Sequence, residues 1–153
     1  MIFDRTASDV DAAIKIRDEK VKSHQELTEE DIDILEKGFI TLNTINRIEE
    51  KQSELKSLLN NMGYYGNKIV NKKWQEQDYF YFLKSDLERI VKNNNTLKNS
   101  YYVFSSTPVD AIPIARFEEF NKIEKMLYDL EKMVNDMKKR FKRCGTFNCG
   151  GAM

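Results

Sequence analysis

The chain has 153 residues, 41% hydrophobic and 33% charged, with 25 Lys and Arg against 25 Asp and Glu. That balance fits one domain with a real core and large solvated faces, and it is not that of a disordered chain. Even charge leaves no net field to hold nucleic acid or an anionic membrane, and no apolar run approaches the roughly 20 residues that span a bilayer.

With two Pro and six Gly in the whole chain, few and long elements are expected. Thr6 with Asp9, or Ser8 with Asp11, can cap a first helix by a reciprocal hydroxyl–carboxylate exchange. Val10, Ala13, Ile14 and Val21 give it a narrow apolar edge, and it should end near Ser23 or His24. Thr28-Glu29-Glu30-Asp31 is a second start, a hydroxyl cap followed by acids on the positive end of the helix dipole. Ile32, Leu35, Phe39, Leu42, Ile45, Ile48, Leu55, Leu59 and Met62 then line one side as far as Gly63, a suitable C-terminal cap. Gly38 interrupts this run and predicts a bend or a division into two helices.

Residues 63–81 break the pattern with two glycines and a concentration of aromatics. They read as an extended connector or a short β-hairpin, with Tyr64, Tyr65, Trp74 and Tyr79 as a candidate surface aromatic patch. A third helix is expected over Phe82 to Tyr101, with Leu83, Leu87, Ile90, Asn94, Leu97 and Tyr101 on its seam. Asn94 on that seam is a candidate register-setting residue, or else a partly exposed Asn near a frayed turn. Ser105-Ser106-Thr107-Pro108 and Ile112-Pro113 make a rigid loop.

The last helix, Arg116 to Arg143, carries the clearest pattern in the chain. Phe120, Ile123, Leu127, Leu130, Val134, Met137 and Phe141 form an unbroken heptad seam, a candidate oligomer contact that must also supply part of the core. Met126 and Met133 widen it. Lys138, Lys139, Arg140, Lys142 and Arg143 read as a solvated, dipole-complementing helix end. The expectation is an all-α fold: an elongated bundle of about four helices over residues 1–143, then a Cys/Gly-containing tail, 144–153, forming a small turn. One echo recurs on three helices: Asn46-Arg-Ile-Glu49, Leu87-Glu-Arg-Ile90 with Lys92-Asn93, and Asn121-Lys-Ile-Glu124. It suggests that three helices pack in related ways.

Nothing points to catalysis. The single histidine, His24, lacks a Cys or Asp partner at triad spacing. Cys144 and Cys149 supply half a zinc site at most, and a free thiol pair is the expected state. GYYG lacks the Gly-Lys-Ser/Thr of a phosphate loop, and Glu29-Glu30, Glu49-Glu50 and Glu118-Glu119 read as capping or solvated acids. The aromatics Trp74, Tyr79, Phe80, Tyr81 and Phe82 could stack bases, but a connector folded over a helical core explains them as well. No enzyme, cofactor or metal is expected. The N-terminus shows neither a basic nor an apolar signal region, which predicts synthesis in a cytoplasm.

The order of motifs resembles a group of small structural proteins encoded by tailed phages and prophages of Firmicutes. Those proteins open on IFDRT followed by DV, here Ile2-Phe3-Asp4-Arg5-Thr6 and Asp9-Val10. Further matches are Leu42-Asn43 with Ile45-Asn46-Arg47-Ile48-Glu49, Trp74, Asp86-Leu87-Glu88-Arg89-Ile90, Thr107-Pro108, and Asn121-Lys122-Ile123-Glu124-Lys125-Met126-Leu127-Tyr128-Asp129. The chain departs from the group in lacking a Pro-Thr pair before the third helix, where it has Phe82-Leu83-Lys84-Ser85, and in having Pro108 where consecutive prolines are usual. The resemblance implies a virion component of tail, baseplate or fibre attachment. Its partners would be itself, as dimer or trimer, and neighbouring tail or fibre proteins, with neither nucleic acid nor membrane. The alternatives are an intracellular assembly helper or regulator that binds through the heptad helix, and a nucleic-acid-binding module using the terminal basic cluster.

Overall fold

Thr6 and Thr28 open the first two helices in the same way. Helix α1 (Ala7–Ile16) starts with the Asp9 N–H donating to Thr6 Oγ1 at 3.3 Å, while the Asp9 carboxylate accepts the Thr6 N–H at 2.7 Å. Helix α2 (Glu29–Gly38) repeats the exchange between Thr28 and Asp31 at 3.2 and 2.9 Å. The computed structural model describes residues 1–65, 68–75, 82–101, 104–108 and 110–143, with side chains described as far as residue 140. Within them α1 runs on into one π-helical turn, Arg17–Val21, where the Lys22 N–H reaches Arg17 O at 3.0 Å. His24, with φ of 52°, takes the left-handed conformation that ends it.

The run from Thr28 to Gly63 is two helices. The reason for the division lies in α1. A Cβ on Gly38 would stand 2.3 Å from the Cβ of Ala13 and 2.4 Å from the carbonyl oxygen of Asp9, so only glycine allows α1 and α2 to approach this closely. Phe39 then turns extended, and Thr41 restarts the chain by accepting the Thr44 N–H at 3.2 Å. Gly38→Ala should therefore push α1 from α2, at about the 1–3 kcal/mol typical of overpacking. Hydrogen exchange would read this as faster exchange confined to α1 and α2; unchanged protection there would contradict the close contact.

Helix α3 (Leu42–Asn61) ends in a paired cap. The Tyr64 N–H reaches Leu59 O and the Gly63 N–H reaches Asn60 O, both at 3.0 Å, with Gly63 at φ of 89°. Residues 68–75 form neither helix nor strand, and no strand forms among the described residues, so the β-hairpin alternative is not found there. Helices α4 (Lys84–Asn99) and α5 (Phe117–Arg143) complete an all-helical fold, with five α-helices among the described residues where about four were expected.

Helices α3, α4 and α5 pack pairwise on one another, and α1 packs chiefly on α2. Ile45, Ile48, Leu55 and Leu59 of α3 meet Leu87, Ile90 and Leu97 of α4 in the core. Against these α5 places Phe120, Ile123, Leu127, Leu130 and Val134, all with no exposed surface. The heptad seam is thus mostly consumed within the chain. Those five residues pack in the core that α5 shares with α3 and α4. Met137 is half-buried beside the Tyr101 hydroxyl, and the Phe141 side chain lies outside the described residues.

Candidate functional site

The echo seen on three helices marks one recurring contact. In each case an asparagine holds both backbone groups of one residue in a non-helical segment, as a neighbouring strand would. Asn46 accepts the Trp74 N–H at 2.9 Å and donates to Trp74 O at 3.0 Å. Asn121 does the same for Arg5 at 3.3 and 2.8 Å, and Asn93 for Val70 at 3.2 and 2.8 Å.

In two of the three, a glutamate one turn on completes the clamp. Glu49, 2% exposed, accepts the Lys72 N–H at 2.7 Å, the Trp74 Nε1–H at 2.8 Å and a bidentate Arg89 guanidinium at 2.8 and 2.6 Å. Fork-on-fork geometry of this kind is the strong form of the ion pair. Glu124, with no exposed surface, accepts the Ile2 N–H at 3.3 Å, Arg47 Nε and Nη2 at 3.1 and 2.9 Å, and Nη1 of the fully buried Arg5. The non-helical segments at residues 2–5 and 68–75 are thereby tied down on the helices.

The pairs Glu49-Glu50 and Glu118-Glu119 were expected at capping or solvated positions. Glu49 is buried instead, as is Glu119, whose carboxyl Lys122 and the Ile112 N–H hold below the usual range. The Asn-x-Ile-Glu echo was the available signal. Asn94 is 4% exposed and bridges inside the chain, accepting from Gln52 Nε2 at 3.3 Å and donating to Ile123 O at 3.4 Å.

Trp74 is not part of a surface patch. It is 2% exposed, its indole N–H is taken by Glu49, and its ring meets Phe82 edge-on at 5.3 Å. The rings of Tyr64 and Tyr101 meet edge-on at 4.9 Å, which leaves Tyr65, at 81%, as the fully exposed described member. Tyr79, Phe80, Tyr81, Cys144, Cys149 and the tail turn lie outside the described residues.

The surface feature of most interest lies along α2. Arg17, Leu27, Ile32, Leu35, Phe39 and Ile40 line an open groove of about 880 Å³, and Leu27 and Ile32 expose apolar surface in it. The Arg17 guanidinium sits 5.7 Å over the Phe39 ring at one wall. Lys20 and Thr28 hold the Asp31 carboxyl down to about 2, fixing the start of α2 against the π turn. An apolar trough of this kind can bind another protein surface. Among the described residues no group of His, Cys, Asp and Glu is placed to hold a metal, and no helix is long and apolar enough to cross a membrane. Comparisons with protein-family models, curated proteins and solved structures find no match.

Proposed function

We propose that the chain is a non-enzymatic structural subunit of a tailed-phage or prophage-derived tail particle, linking or supporting fibre or receptor-binding proteins. In this reading the molecule is an elongated helical bundle with an aromatic-rich connector, made in the bacterial host cytoplasm and incorporated into the virion tail.

One observation carries the reading. The motifs that resemble the phage group are scattered along the sequence, yet their residues contact one another across the fold. Arg5 and Arg47 reach Glu124, Arg89 reaches Glu49, and Trp74 sits between Asn46 and Glu49. Thr107 donates to Asp129 at 3.2 Å, and Phe3 packs on Tyr128 with centroids 5.1 Å apart. The resemblance therefore falls on the residues that frame the fold, where unrelated short matches would scatter.

Quantitative mass spectrometry of gradient-purified, nuclease-treated particles from a strain encoding the chain tests this. The expected result is a fixed stoichiometry relative to tail-tube or baseplate proteins. Recovery only from the unassembled lysate would overturn it in favour of an assembly helper.

A further inference from the structure

The chain is neutral overall, but its charge is divided between two places. Residues 7–38, which form α1, the π turn and α2, hold ten Asp or Glu against five Lys or Arg. Several of those cations are already used within this segment: Lys20 pairs with Asp31, Lys37 with Asp9, and Arg17 and Lys22 with Asp18. Glu29, Glu30 and Asp33 are exposed, with no cation on them among the described residues. Residues 132–143 hold six Lys or Arg against Asp136 alone. Lys132 and Arg140 are exposed there, and Lys138 is half-buried.

The fold sets these regions apart. Val10, Gly38, Phe39 and Ile40 share a cleft with Ala115–Glu118, so α5 begins beside the α1–α2 pair. The 27 residues of α5 then carry the basic end about 40 Å away along the helix axis at 1.5 Å per residue. The acidic end also bears the apolar groove. Two acidic ends repel, as do two basic ends, while an acidic and a basic end attract.

We infer that the groove along α2 receives a second copy of this chain, head to tail, with the basic C-terminal end of α5 seated on the acidic, apolar α1–α2 face. Such a heterologous contact builds a ring where the rotation closes and a filament where it does not. The inference rests on the reading of the chain as an assembly subunit and moves self-association from the buried seam to an exposed face.

Sedimentation velocity on the full chain tests it with two variants changed at exposed or half-buried positions. Ile32→Arg blocks the groove, Ile32 being 46% exposed. Lys138→Glu/Lys139→Glu/Arg140→Glu reverses the basic end. Circular dichroism verifies folding, and Asp33→Lys, also at an exposed position, is a second groove-side variant. The wild-type chain should associate with rising concentration at about 0.1 M salt and dissociate near 1 M, where the screening length falls from about 10 Å to about 3 Å. Ile32→Arg and the charge-reversed variant should each be monomeric alone, and Asp33→Lys should lower the association constant about tenfold or more. An equimolar mixture of Ile32→Arg with the charge-reversed variant should give one-to-one dimers and nothing larger. A wild-type chain that stays monomeric, or a charge-reversed variant that associates as well as wild type, overturns the proposal. Either result leaves the particle stoichiometry to decide the structural-subunit reading separately.

Discussion

Glu124→Ala should destabilise the fold by about 3–5 kcal/mol, the range for removing one partner of a buried ion pair. The cost is large because of what remains behind. Arg5 is fully buried, and its Nε and Nη2 already lack partners, so the glutamate is the only carboxylate on its charge among the described residues. The Ile2 N–H loses its acceptor in the same substitution, and residues 2–5 lose two of the five hydrogen bonds that tie them to α5 among the described residues. Arg47→Ala should cost less, since that side chain keeps 29% of its surface in water. Denaturant titration followed by circular dichroism separates the two. A Glu124→Ala midpoint equal to that of Arg47→Ala would mean that Arg5 finds another partner or reaches solvent.

Leu130→Ala should cost about 2–5 kcal/mol, the transfer loss plus the cavity left among α3, α4 and α5. Its diagnostic property is independence from protein concentration. Leu130 has no exposed surface within a single chain, so the loss belongs to the monomer. Were the seam an oligomer contact, the melting temperature of wild type and variant would converge at low concentration by mass action. Thermal melts over a wide concentration range distinguish these outcomes.

Local chemistry was legible in the sequence. The capping boxes and the Gly63 cap depend on neighbours within six residues; Thr28 and Gly63 stand where spacing placed them, and of the two starts spacing offered for α1, Thr6 or Ser8, the chain uses Thr6. Gly38 was legible as an interruption, but its reason was not, because the atoms it accommodates belong to Ala13 and Asp9 on another helix. The seam shows the limit of periodicity. A heptad stripe reports that a helix buries one face, and it carries no information about whether the covering helix belongs to the same chain. Trp74 and Glu49 were misplaced for a related reason. A tryptophan on a glycine-rich connector and an acid next to another acid both read as surface, but Glu49 takes the Trp74 indole N–H, and Arg89 and the Lys72 N–H satisfy the rest of the carboxylate. The asparagine clamps left a trace in the echo, since the same task was met by the same residues on separate helices.

The clamp on residues 2–5 also sets a schedule for synthesis. Arg5 is anchored by Asn121 and Glu124, so residues 2–5 cannot be fastened until α5 has been translated. At about 5–20 residues per second, that leaves the N-terminal segment waiting roughly 6–24 s. The α1–α2 pair needs only nearby residues and can form early, while the strap in front of it closes last. The ribosome therefore releases the acidic groove face before the frame that carries it is locked.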